Sequence, residues 1–128
     1  DLWKTDRPGA AIALVRRGRQ QGYPLIIAAG GDGTLNEVIN GILAGVESNA
    51  HLPTMGIMPI GSAHDLADIL NIPLQPEAWY RLIQAGQPRR IDIGEVNGRY
   101  FGNNVGIGFE AQVNVESRRV QRLHGALV

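Results

Sequence analysis

The chain has 128 residues, 44% of them hydrophobic and 19% charged, which is the make-up of one ordinary globular unit with enough apolar side chains for a core. Lys plus Arg and Asp plus Glu number 12 each, so no net charge favours nucleic acid or an anionic surface, and any anion site has to be built locally. Cysteine is absent, which excludes disulfides, thiolate metal sites and cysteine nucleophiles. No run approaches the ~20 apolar residues of a membrane span, so no transmembrane segment is expected. No signal peptide is evident, and a cytoplasmic setting fits. The first residue is Asp1 rather than Met, which suggests an excised or processed piece.

Thr5 and Asp6 ahead of Pro8 predict a helix N-cap with proline in the first turn, and a helix over Ala10–Gln21 that Gly22 stops. Leu25–Ala29 is short, apolar and partly β-branched, the pattern of a strand buried on both faces of a parallel sheet. After Gly30-Gly31-Asp32-Gly33-Thr34, the residues Leu35, Val38, Ile39, Ile42 and Leu43 form one apolar helical stripe. Met55–Ile60 predicts a second buried strand, Asp65–Leu70 a short helix ended before Pro73, and Pro76 the start of a helix with Trp79, Leu82 and Ile83 on one side and Gly86 at its end. Helix, strand, loop and helix in this order predict an α/β fold, a parallel sheet wound by helices. In such sheets ligands bind at the carboxyl ends of the strands, where both glycine-rich turns fall.

Near Gln87-Pro88 the pattern changes. Ile91, Ile93 and Val96 approach alternation, Asn97-Gly98 signals a two-residue hairpin turn, and Tyr100 and Phe101 open a strand running to Val105. These features predict a nucleotide-binding unit over 1–88 and the start of a second, β-rich domain over 89–128. Phe109–Leu123 is expected to be helical, with Arg118, Arg119 and Arg122 on a solvated face.

The loop between the first strand and its helix is built for a phosphate. Its glycines let a ligand approach the backbone, and the following helix offers free N–H groups and the positive end of its dipole. Thr34 and Glu37 have the spacing of a capping box. Asp32 beside a phosphate requires a bridging cation, and Mg²⁺ is the usual one. The loop is neither a P-loop nor a G-x-G-x-x-G fingerprint, and by itself it also reads as a tight turn before a capped helix.

The stretch Gly30 to Ile42, G-G-D-G-T-L-N-E-V-I-N-G-I, resembles the signature of the diacylglycerol kinase family, which includes sphingosine kinases and bacterial lipid kinases. NAD kinases share its first five residues; the Asn-Glu-Val-x-Asn-Gly continuation is characteristic of the lipid-kinase branch. Pro59–Ala67 resembles the family's Pro-x-Gly-Thr-x-Asn-Asp-Phe-Ala turn, with Ser62 for Thr and His64 for Asn. Ile91–Val96, Phe101 and Gly106–Phe109 are similar to its entry into the second domain.

The resemblance covers about Ala11 to Val113 and implies transfer of the γ-phosphoryl of ATP, with Mg²⁺, to a lipid hydroxyl at a membrane surface. It implies a nucleotide site of Gly30, Gly31, Asp32, Gly33, Thr34, Glu37, Gly61, Ser62 and Asp65. Asp92 would join a metal and water network, and Asp32 is a second candidate metal contact. The family's Asn-Pro strand before this region and its catalytic base after it are not found, so no catalytic base is assigned and the chain alone is expected to be inactive. Two alternatives stand beside this: an NAD kinase-like enzyme, and a nucleotide-sensing pseudo-kinase motivated by Ser62 and His64. A third is an assembly domain, because an incomplete sheet exposes an edge that invites homo-oligomers.

Overall fold

The structure, a computed structural model, describes residues 1–47, 51–108 and 112. In chain order it contains α1 (Ala10–Gln20), β1 (Leu25–Gly30), α2 (Asp32–Leu43), β2 (Thr54–Pro59), α3 (Asp65–Ile69), α4 (Pro76–Ala85), β3 (Gly94–Val96) and β4 (Arg99–Phe101). β1 and β2 pair in parallel, from Leu25 opposite Thr54 to Gly30 opposite Pro59, so both glycine-rich turns leave the same end of the sheet. The fold is α/β, as expected.

The core gathers on α2. Leu35 is fully buried, and Val38, Ile39 and Ile42 lie beside it against Ala28 and Ile57 of the strands, Ala11 and Val15 of α1, and Leu66 and Ala67 of α3. Burying each large aliphatic side chain contributes about 1.5–3 kcal/mol. The apolar stripe predicted from spacing is therefore the element on which the rest packs.

α1 and α2 meet closely. A Cβ on Gly41 would lie 2.6 Å from Val15 Cβ and 3.0 Å from the Ile12 carbonyl oxygen, so a residue without a side chain is required at this crossing. The two helices also satisfy each other's ends. The Glu37 carboxylate accepts the N–H groups of Gly9 (2.7 Å) and Ala11 (3.1 Å), and the Arg19 guanidinium donates to the Ile42 carbonyl. These are groups that a helix cannot satisfy within itself.

Several boundaries differ from expectation for identifiable reasons. α1 begins after Gly9, which takes a left-handed φ of 85°, so Pro8 lies in the preceding turn rather than in the helix. Its C-terminus does stop at Gly22 (φ 77°), whose N–H bonds to Arg19 while Tyr23 bonds to Gly18, a Schellman ending. β1 is covered on one face only: Leu25 and Ile27 are 39% and 40% exposed on the other. α4 runs from Pro76 to the left-handed Gly86 as predicted, yet none of its residues is fully buried, and Tyr80 and Leu82 are exposed. Asn97 and Gly98 both take positive φ, which is the type I′ turn predicted, but the second strand ends at Phe101 rather than Val105. The hairpin is seated on α2 through Tyr100. The predicted helix over Phe109–Leu123, with Arg118, Arg119 and Arg122, lies outside the described residues except for Gln112, whose N–H bonds to the Gly108 carbonyl. Among those described, no helix is long and apolar enough to cross a membrane.

The α1–α2 crossing makes a direct prediction. Gly41→Ala gains about 1 kcal/mol of helix propensity but forces a methyl against Val15, and overpacking of this kind costs about 1–3 kcal/mol. Urea denaturation should show a net loss of stability; a gain would mean that the two helices separate without cost.

Candidate functional site

The turns after β1 and β2 are packed into one unit. A Cβ on Gly31 would lie 2.7 Å from the Ala63 carbonyl oxygen, and one on Gly61 would fall 2.3 Å from Gly31 Cα. The Asp32 N–H donates to the Ala63 carbonyl at 3.0 Å. The Asp32 carboxylate then reaches across to α3 and accepts the N–H of Asp65 at 2.9 Å and of Leu66 at 3.0 Å. A helix of five residues is too short to stand on its own propensity, and this remote carboxylate supplies its cap.

The first turn of α2 is left open. Gly31 is its N-cap and offers no side chain, Asp32 gives its N–H to Ala63, and Leu35 bonds back to Gly31. Among the described residues, the N–H groups of Gly33 and Thr34 meet no acceptor. Nothing lies within 4 Å of where a Cβ on Gly33 would be, so this part of the turn faces open space. By contrast, Gly30 is covered: the Thr34 Oγ1 lies 2.5 Å from the position of its missing Cβ. Free N–H groups, a hydroxyl and the positive end of a 12-residue helix together favour an anion.

The predicted site residues are placed differently. Gly33 and Thr34 lie in the open first turn of α2, while Gly31 and Gly61 let the two turns come together and Gly30 makes room for Thr34. Glu37 is committed to the start of α1, so the capping box expected between Thr34 and Glu37 does not form; α2 already begins at Asp32. Ser62 is exposed and does not cap α3; His64 is the N-cap residue and Asp65 the first residue of the helix. His64 Nδ1 lies 3.0 Å from Asp68 Oδ2, a pairing along its own helix. The Asp65 and Asp92 side chains are exposed, with no hydrogen-bond partner among the described residues. Among those residues no cluster of three or more His, Cys, Asp or Glu side chains is placed to hold a metal.

Asn36 and Asn40 were given no role by sequence reasoning, although they fall inside the signature. Asn40 is 6% exposed and bonds to the backbone of Tyr100. The available signal was an amide lodged between Ile39 and Ile42 in an otherwise apolar stripe, since buried polar groups come with partners.

A family model described as the diacylglycerol kinase catalytic domain matches residues 1–96. The diacylglycerol kinase of Staphylococcus saprophyticus is 39% identical over 115 residues, 90% of this chain and 36% of that protein. A protein of Chromohalobacter salexigens named "Probable lipid kinase YegS-like" is 36% identical over 118 residues, 91% of this chain and 37% of that protein. Among solved structures, a diacylglycerol kinase from Bacillus anthracis str. Sterne matches with a TM-score of 0.66 at 32% identity, covering 76% of this chain and 32% of that chain. The chain spans about a third of the length of these relatives.

The cap on α3 can be separated from ordinary acidic surface. Asp32→Ala should lower stability by about 1–2 kcal/mol, as loss of a helix cap does, and speed exchange of the Asp65 and Leu66 amides. Asp65→Ala should leave stability within about 0.5 kcal/mol of wild type. Equal losses in the two variants would contradict the assignment.

Proposed function

The chain belongs to the diacylglycerol kinase catalytic domain family, and from that premise we propose that it is the nucleotide-binding part of a lipid kinase. The reaction is transfer of the γ-phosphoryl of ATP to a lipid hydroxyl, with diacylglycerol the acceptor class suggested by the names of the relatives. Those names favour a lipid acceptor over NAD. The observation that carries the reading is the open first turn of α2, where the N–H groups of Gly33 and Thr34 meet no acceptor among the described residues and a Cβ on Gly33 would meet nothing within 4 Å.

Phosphoryl transfer asks a protein mainly for positioning and charge stabilisation. Gly33 and Thr34 would hold phosphate oxygens through main-chain N–H groups and the Thr34 hydroxyl. Gly31 and Gly61 allow the two turns to form the floor of the cleft. Mg²⁺ would come to the site on the phosphates and neutralise part of their charge. Asp32 fits that ion less well than expected, because both of its oxygens already accept N–H groups. Asp65 and Asp92 are the carboxylates without such commitments, and Asp92 remains the candidate for the metal and water network. No residue of this chain is proposed as the base on the acceptor hydroxyl. The 128 residues alone are therefore expected to bind nucleotide without phosphorylating lipid. The acceptor would be met at a membrane surface by a protein working from the cytoplasm.

Gly33 offers a clean test, because its backbone does not need positive φ and a methyl there meets nothing in the protein. Gly33→Ala should leave the unliganded melting temperature equal or slightly higher, since alanine favours a helix by up to ~1 kcal/mol. Mg·ATP should raise the melting temperature of the wild type by mass action and raise that of the variant much less. Equal shifts in the two proteins, or none in the wild type, would overturn the cradle.

A further inference from the structure

The amide of Asn40 is buried in the stripe of α2, yet every polar atom of the side chain is engaged. Its Oδ1 accepts the main-chain N–H of Tyr100 at 3.0 Å. Its Nδ2 donates to the Tyr100 carbonyl at 2.9 Å and to the Asn36 carbonyl at 2.8 Å, with Asn36 Oδ1 at 3.1 Å. Only one orientation of the amide is workable. Turned over, its oxygen would face the carbonyls of both Tyr100 and Asn36. A helix side chain therefore takes the place of a neighbouring strand, bonding both main-chain groups of a single residue of β4 as a ladder partner does.

A second contact fixes the exit from the hairpin. A Cβ on Gly102 would lie 2.9 Å from Ile39 Cδ1 and 3.2 Å from Leu66 Cδ2, so the chain leaving β4 runs directly over α2 and α3. Leu66 is also the residue whose N–H is held by Asp32. The hairpin thus rests on the two helices that frame the open turn.

We infer that Asn40 is a positioning residue, whose two-point bond to Tyr100 sets the angle of the β3–β4 hairpin, and of the chain following it, against the helices around the phosphate cradle. One hydrogen bond would leave the hairpin free to turn about the bond axis; two bonds to one residue remove that rotation. The geometry stands without any ligand, but its consequence for phosphoryl transfer rests on the nucleotide-site reading above. The side chain does not touch the cradle, so it should influence where an acceptor is presented rather than how tightly nucleotide is held.

Asn40→Asp keeps the size of the side chain, removes both N–H donors, and sets a carboxylate oxygen against two carbonyls. In this chain, residual dipolar couplings of residues 94–101 should cease to fit the alignment of α2. The Tyr100 amide should exchange about tenfold faster or more, and the Mg·ATP dissociation constant should stay within about twofold of wild type. In the full-length protein, kcat for lipid phosphorylation should fall about tenfold or more with KM for ATP unchanged, as misplacement of a reacting group produces. If Asn40→Asp fails to fold, Asn36→Ala removes only the supporting side-chain contacts and should loosen Tyr100 in the same direction to a smaller degree. Hairpin couplings that still fit α2 in a folded variant, or a loss of nucleotide affinity equal to the loss in kcat, would overturn the inference. A wild-type chain that binds no Mg·ATP would instead defeat the nucleotide reading, leaving the couplings to decide the role of Asn40.

Discussion

The reach of the Asp32 carboxylate across to α3 is the interaction on which the rest of the site depends. It joins the turn after β1 to the turn after β2, and it caps a helix that has only five residues. The glycines at 31 and 61 matter because of it: the turns must touch before the carboxylate can span them, and neither position has room for a methyl group. It would also ease an electrostatic conflict with a phosphate bound at the first turn of α2. A carboxylate about 4 Å from a phosphate would repel it by about 4 kcal/mol at an effective dielectric of ~20. Both oxygens are turned toward the N–H groups of α3, and the N–H groups of Gly33 and Thr34 are left without an acceptor among the described residues.

The same division of labour runs along α2. One face supplies the core through Leu35, Val38, Ile39 and Ile42. The polar residues between them each fasten a different neighbour: Asp32 holds α3, Glu37 holds α1, and Asn40 with Asn36 holds the hairpin. Gly41 lets α1 approach at a distance that no other residue would permit. A signature that reads as a ligand site is, for most of its length, a set of structural joints. Its open part is the first turn, where Gly33 and Thr34 have N–H groups without acceptors among the described residues. This accounts for a long motif around a small cradle: the cradle is rigid only if every element touching α2 is fixed.

The sequence carried the fold well where a local rule decided the outcome. The apolar stripe of α2 rests on helical spacing, the glycine stops after α1 and α4 and the Asn97-Gly98 turn rest on residues that tolerate positive φ, and each is found in place. The open first turn of α2 was legible to the same extent, as a glycine turn leading from a strand into a helix. What was not legible depends on partners far along the chain. Glu37 has the spacing of a local cap for Thr34, yet its acceptor oxygens serve Gly9 and Ala11, 28 and 26 positions away. Asp32 is legible in the sequence only as a candidate metal contact, and its bonds to the N–H groups of Asp65 and Leu66, 33 and 34 positions later, are not. Spacing shows that a polar group needs a partner, but not whether that partner is a ligand or another part of the backbone. The exposure of Leu25 and Ile27 has a similar origin, since a strand pattern cannot report how many layers cover it.

The most direct test is a titration of the ¹⁵N-labelled chain with Mg·ATP, followed by amide shifts and hydrogen exchange at each residue. The largest shifts should fall on Gly33 and Thr34, while the Asp65 and Leu66 amides stay protected because Asp32 keeps its place on α3. Loss of protection at Asp65 and Leu66 on adding Mg·ATP, with small changes at Gly33 and Thr34, would contradict this. It would mean that Asp32 leaves α3 to take the metal, and that the joints of α2 are themselves the ligand site.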